Sequence, residues 1–268
     1  NCAVAWSRLG FSTAIYTMVG DDDRGRDIRQ HLKEEKVMTD YIVVDKENGT
    51  NYSTILEYKG DRTILGYHEE RHYILPTLPP ARWVYFSSIA GNHTELNSEI
   101  ITYLKETKAR FGFNPGTRQM QLGLKGLKSV LEQTTVFFVN TDEAMHLLGI
   151  KNKKPDFNKI LTLLQQTGPE VVVVTDGNRG SYCHTGVTSY YAPIVDVPVV
   201  QHTGCGDAYA SGFIAALLYG ETPAEAMRWG SMNAAGVIGH EGSQTGLLRK
   251  KDLLQLLAEH KECQASLI

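Results

Sequence analysis

Short clusters of β-branched and aromatic residues alternate along the chain with longer stretches whose apolar positions recur at helical spacing. That is the pattern of helices packed around a mostly parallel sheet. The clusters predict core strands over residues 13–19, 82–87, 109–113, 135–139 and 171–175. The stretches between them predict helices over 24–35, 95–108, 119–132, 141–148 and 157–166. Val171 to Val174 are apolar at every position, as expected of a strand covered on both faces, so this strand belongs at the sheet centre. The chain opens on Cys2-Ala3-Val4-Ala5-Trp6, which reads as a helix already under way and predicts that the natural protein extends upstream of Asn1.

Two segments interrupt the alternation. Over 41–73, the strand-like runs Tyr41 to Val44, Tyr52 to Leu56 and Thr63 to Leu65 are separated by the turn signals Asn48-Gly49 and Gly60-Asp61. A small antiparallel sheet inserted there buries little by itself, which leaves two readings: a lid that covers something, or a meander at the sheet edge. The second interruption, 181–200, is another short strand cluster ahead of a helical C-terminal third.

Composition narrows the class without naming a chemistry. Apolar residues at 42% and charged residues at 21% over 268 residues describe one globular domain, not a disordered or collagen-like chain. A net charge of −3 gives no global basic field for nucleic acid or an anionic membrane surface, and neither is expected as a partner. The longest apolar run, Phe213 to Tyr219, is far short of the roughly 18 residues a membrane span needs. Cys2, Cys183, Cys205 and Cys263 form no CxxC pair, so a reducing, cytoplasmic location is the expectation.

The chemistry concentrates in Thr203-Gly204-Cys205-Gly206-Asp207 and the small-residue helix that follows. Two glycines at a helix start let backbone N–H groups approach an anion, because a side chain at 204 or 206 would hold a phosphate away. Asp207 has two readings, a first-turn carboxylate that complements the helix dipole and a general base aimed at a hydroxyl. Asn140 and Glu143 stand three apart at a helix start, where they form either a cap with its first-turn acid or a pair able to hold Mg²⁺. Thr175, Gly177 and Gly180 suit either a plain turn or backbone that runs close to a nucleotide.

The Thr203–Asp207 stretch resembles the signature of the ribokinase-like (PfkB) family of carbohydrate and nucleoside kinases. Asn1 to Ala5 with Arg8-Leu9-Gly10, Val19-Gly20-Asp21-Asp22 with Gly25, Asn140-Thr141-Asp142-Glu143, Thr175-Asp176-Gly177 with Gly180, and Asn233-Ala234-Ala235 resemble further family blocks in order. The resemblance implies a three-layer α/β sandwich with a small β-sheet lid, and ATP-dependent phosphorylation of a small sugar's hydroxyl. Under it, Asp207 is the general base and the backbone of Gly204, Cys205 and Gly206 stabilises the transferring phosphoryl group. ATP would be bound by Asn140, Thr175, Gly177, Gly180, Gly206 and Asn233, with the loop Gly239 to Ser243 beside the adenine, and Mg²⁺ by Asn140 and Glu143 mainly through water. The acceptor would meet Asn1, Asp207 and, as a weaker positional match, Asp21. Asn114-Pro115-Gly116 with Arg118 resembles the segment on the phosphate side of the cleft, although a bland Asn-Pro turn explains its first residues equally well. Gly60-Asp61-Arg62-Thr63 resembles the lid turn, which assigns Arg62 to lid structure.

Two departures qualify the match. Gln201 replaces an aspartate that helps bind a monovalent cation in the family, so activation by such a cation is not expected. A strand, a substrate-binding aspartate and two glycines that the family carries ahead of Asn1 are not in this sequence. Three readings stay open: a sugar kinase, a nucleoside kinase of the same fold, and a non-catalytic binding or regulatory protein on the scaffold. The lid tyrosines 52, 58, 67 and 73 could cover substrate or pair with a second subunit's lid in a homodimer.

Overall fold

The computed structural model describes residues 1–58, 61–89, 91, 93–151 and 154–268. In chain order the elements of the first half are α1 (Cys2–Arg8), β1 (Thr17–Gly20), α2 (Asp23–Glu34), β2 (Ile42–Asp45), β3 (Tyr52–Tyr58), β4 (Asp61–Tyr67), β5 (Trp83–Phe86), α3 (His93–Thr107) and β6 (Arg110–Phe113). They continue with α4 (Thr117–Met120), α5 (Gly123–Leu131), β7 (Val136–Asn140), α6 (Thr141–Leu148), α7 (Phe157–Gln165) and β8 (Val171–Thr175). The last are β9 (Ser181–His184), β10 (Ser189–Ala192), α8 (Cys205–Leu218), α9 (Pro223–Ile238), α10 (Lys250–Glu259) and β11 (Ser266–Leu267).

Seven strands form one sheet in the order β11-β10-β9-β8-β7-β6-β5. Pairings from β5 to β8 are parallel, and those from β8 to β11 antiparallel. Strand β8, the all-valine run, is the middle strand, and Val171 to Val174 are buried. The pleat divides the core between the two faces. On one, Val136, Phe138, Val171 and Val173 pack against Phe213 and Ile214 of α8, Met227 and Trp229 of α9, and Leu253 and Leu257 of α10. On the other, Phe137, Val139, Val172 and Val174 meet Ile100 of α3, Leu127 of α5, Ala144 of α6 and Leu161 of α7. Helices therefore cover both faces, which makes the three layers. A smaller cluster joins Val4 of α1, Leu32 of α2, Ala208 of α8 and Val237 of α9.

Several elements differ from expectation. The strand predicted over 13–19 shortens to β1 and lies outside the large sheet, paired in parallel with β2. It is drawn there because Asp22, the side-chain cap of α2, accepts from Thr50 N at 2.7 Å and Thr50 Oγ1 at 2.6 Å, and Gly20 packs directly onto the 48–50 backbone. The run at 41–44 thus belongs to that parallel pair, while β3 and β4 form a separate antiparallel ribbon. Of the turn expected between them, Gly60 lies outside the described residues. The single helix predicted over 119–132 is two, α4 and α5, divided where Gly123 takes φ +63°. The two-residue edge strand β11 has no expectation to match; it is too short to carry a period.

Candidate functional site

In open α/β sheets ligands bind beyond the carboxyl ends of the parallel strands. Here those ends lead into the 114–116 turn after β6, Asn140 after β7 and the 176–180 turn after β8. Asn140 and Thr175 are direct neighbours in the β7–β8 register.

The start of α8 faces this region. Gly204, its N-cap, has φ +85°, and a Cβ there would lie 2.6 Å from Ser243 Cβ and 2.9 Å from Ser243 O, so only glycine fits. Gly206 differs: a Cβ there would meet nothing within 4 Å, which leaves open space beside the backbone of the first turn. N–H groups in a helix's first turn have no acceptor inside the helix, which suits such a start to an anion. The Cys205 N–H donates a long bond, 3.4 Å, to His202 O.

Asp207 follows at once. Its Oδ2 accepts from Asn1 Nδ2 at 2.7 Å, so residues far apart in the sequence meet here. No hydrogen bond reaches Oδ1 among the described residues. Beneath it, burial pushes the Cys2 thiol up to about 12, with the Asp207 charge adding, so Cys2 is a packed neutral thiol and no nucleophile. The Tyr85 hydroxyl is held well above the ordinary tyrosine value by burial first, then by its coupling to the neighbouring Cys2 thiol and by the charges of Asp207 and, more weakly, Glu143.

Asn140 and Glu143 form a capping box: Asn140 Oδ1 accepts from Glu143 N at 2.9 Å, and Glu143 Oε2 accepts from Asn140 N at 2.8 Å. Burial raises the Glu143 pKa, with Asp142 adding against the Asn140 hydrogen bonds that lower it. A half-buried carboxylate lacking a cation, among oxygen donors, fits the preference of Mg²⁺. Among the described residues no cluster of three or more His, Cys, Asp or Glu is arranged to hold a metal directly, so the fit is to a hydrated ion.

The 176–180 turn is pinned from below by Asp176, which sequence reasoning left without a role. It accepts from Thr141 Oγ1 at 2.6 Å and from Arg179 Nε and Nη2 at 2.6 and 2.8 Å, and Arg179 first, then Thr141, outweigh burial to lower its pKa. Gly177 and Gly180 both have positive φ, and a Cβ at Gly180 would strike Ala192 O, whereas one at Gly177 would meet nothing within 4 Å.

Other expected residues do different work. Asn233 is fully buried, its Nδ2 donating to Ala208 O at 2.8 Å and its Oδ1 accepting from Leu248 N at 3.1 Å. Both halves of the amide are spent joining α8, α9 and the segment before α10, so it presents nothing to adenine. Ser243, expected beside the adenine, instead donates to Asn1 Oδ1 at 2.9 Å. Asp21 is exposed, 3.8 Å from Arg26, and makes no hydrogen bond to Asp207 among the described residues. Asn114 braces the sheet by donating to Phe138 O at 2.8 Å, and Arg118, exposed, lines a surface cavity with Glu70, Arg71, His72 and Gly91. Gln201 Oε1 accepts from Gly242 N at 2.6 Å and fastens the loop that carries Ser243 and Gln244. Gln244 was unforeseen; its spacing from Asn1 and Asp207 gives no pattern to read.

Comparison with known proteins gives the fold and the family. An uncharacterized sugar kinase of Archaeoglobus fulgidus is 29% identical over 254 residues, 92% of this chain and 99% of the relative. The crystal structure of the Methanocaldococcus jannaschii nucleoside kinase, an archaeal member of the ribokinase family, superposes with a TM-score of 0.80 at 20% identity, covering 97% of this chain and 85% of that one. Arabidopsis thaliana ribokinase complexed with ribose and ATP does so at 0.80 and 18%, covering 96% and 85%. The model of the pfkB family carbohydrate kinases matches residues 1–250, and the chain belongs to that family.

Proposed function

We propose that this protein is an ATP-dependent kinase that phosphorylates a hydroxyl of a small sugar. The observation that carries the reading is the start of α8, where open space beside Gly206 adjoins Asp207, whose Oδ1 accepts no hydrogen bond among the described residues. Phosphoryl transfer asks a protein for positioning and charge stabilisation more than covalent chemistry. Asp207 Oδ1 takes the proton of the acceptor hydroxyl as its oxygen attacks the γ-phosphorus, the bond to the β-phosphate oxygen breaks, and ADP leaves. The first-turn N–H groups at 204–206 face the charge on the transferring group, fixed in advance by the helix. Asn140 and Glu143 would hold Mg²⁺ through water, and the ion would supply charge neutralisation on the phosphates. The turn at Thr175, Gly177 and Gly180 lies next to Asn140 in register and is the proposed nucleotide loop.

A nucleoside acceptor is the second reading, favoured by the exposed Tyr52 and Tyr67 rings of the β3–β4 ribbon, 5.3 Å apart, which offer a stacking surface for a base. Ile55, Leu56, Ile64 and Leu65 are exposed on the same ribbon, and a two-stranded ribbon is marginal alone, so we also place a homodimer contact there. Cys2, Cys183, Cys205 and Cys263 form no disulfide, which suits a reducing cytoplasm.

The test is ADP release from ATP and Mg²⁺ with D-ribose, D-fructose or adenosine against an acceptor-free control. Acceleration by a sugar supports the first reading and by adenosine the second. No acceleration by any acceptor contradicts the kinase assignment.

A further inference from the structure

Asn1 holds the Asp207 carboxylate, and an asparagine amide does so only one way round. With Nδ2 toward Asp207 it donates; turned over, Oδ1 would face a carboxylate, acceptor against acceptor. The structure shows what sets the orientation. Asn1 Oδ1 accepts from Ser243 Oγ at 2.9 Å and Gln244 Nε2 at 3.1 Å. Gln244 is in turn fixed at its far end, where Oε1 lies 2.7 Å from His31 Nε2 of α2. With Nε2 of Gln244 donating to Asn1, its Oε1 must accept, so His31 carries a proton on Nε2.

The chain is therefore polarised in one direction: His31 to Gln244, Gln244 to Asn1, Asn1 to Asp207. Its frame is firm. Arg8 Nη1 donates to the carbonyls of Gln244 and Leu247 at 2.7 and 3.0 Å, and its guanidinium is paired with Glu35 at the end of α2. Ser243 also packs against Gly204, so the residue that orients Asn1 is in register with the start of α8.

We propose that Gln244 and Ser243 are positioning residues for phosphoryl transfer. They hold Asn1 with its N–H toward Asp207, which occupies Oδ2 and leaves Oδ1 as the proton-accepting atom. The proposal rests on the reading of Asp207 as general base. It separates this loop from nucleotide binding: the loop acts on the base through Asn1.

The experiment measures kcat and KM for ATP with whichever of D-ribose, D-fructose and adenosine is turned over fastest. The variants are Gln244→Met, Ser243→Ala, their combination, Asn1→Ala and the triple variant, each with a thermal midpoint. Methionine keeps the length and packing of Gln244 while removing the donor. The combined Gln244→Met/Ser243→Ala variant is expected to lose about 10- to 100-fold in kcat with KM for ATP within about twofold. The triple variant is expected to be no slower than Asn1→Ala, because the two donors act only through Asn1. An unchanged kcat in the combined variant, a further multiplicative loss in the triple variant, or a loss confined to KM would overturn the proposal. Asp207→Asn distinguishes the two failures: if it is active, the base assignment has failed, and if it is inactive while the Gln244 and Ser243 variants keep full kcat, only the positioning role has.

Discussion

Two helices in this molecule carry a glycine and an aspartate at their starts, and the two aspartates stand in opposite circumstances. At α2, Asp22 accepts from Gly25 N, Thr50 N and Thr50 Oγ1 at 2.8, 2.7 and 2.6 Å, and those bonds push its pKa down to about 2. At α8, Asp207 accepts one side-chain hydrogen bond, from Asn1, and its other oxygen has none among the described residues. A carboxylate saturated by its own chain closes a turn and has no capacity left for a proton. One held at a single oxygen keeps its geometry and leaves the other oxygen open to a substrate hydroxyl. The glycines differ in the same sense: a Cβ at Gly20 would lie 2.6 Å from Thr50 N, whereas one at Gly206 would meet nothing. One glycine permits packing, the other preserves space.

Substitutions at the two sites separate these roles. The largest effect is expected for Gly204→Ala, which combines φ +85° with a Cβ 2.6 Å from Ser243 Cβ. Both the thermal midpoint and turnover should fall, and a variant with wild-type values of both would refute the packing argument. Next, Gly206→Ala should keep the midpoint and lose about 10- to 100-fold in turnover, since its methyl group fills the space proposed for phosphate. A lowered midpoint with normal turnover would show that the space is structural.

Asp22→Ala should lower the midpoint at neutral pH, through loss of the helix cap and of both Thr50 bonds. Because the folded pKa is depressed, this stabilisation is complete above the unfolded value of about 4 and is lost as pH falls through about 2. The gap between wild type and variant should therefore close over that window, and a gap independent of pH would remove the Asp22 carboxylate as its source. The smallest effect is expected for Arg179→Ala. Arg179 is 69% exposed, and such a pair contributes about 0–1 kcal/mol, so KM for ATP should rise by no more than about fivefold with kcat unchanged. A change in kcat would place the 176–180 turn in the chemical step.

Much of the scaffold could be read from hydrophobic period alone, because β8 and the helices on both faces of the sheet are held by apolar burial that repeats at short range. What escaped was set by distant partners. The placement of β1 depends on Asp22 reaching Thr50, and the division of α4 from α5 on the backbone angle of one glycine. At the proposed site, the Gly204–Asp207 stretch stands out in the sequence because two glycines ahead of a carboxylate at a helix start suit backbone N–H groups to an anion. Asn233 misled because a polar residue on a helix looks available until both ends of its amide prove to be bonded inside the core. Gln244 could not be read at all, since it meets Asn1 across 243 positions of chain.

The central claim is that Asp207 takes the proton during phosphoryl transfer while the nucleotide is held elsewhere. The most direct test is one preparation of Asp207→Asn in which ATP affinity, by calorimetry, and kcat are measured together. ATP affinity within about twofold of wild type and a kcat lower by about 10²- to 10⁴-fold is the predicted result. Turnover that survives the substitution would contradict the account.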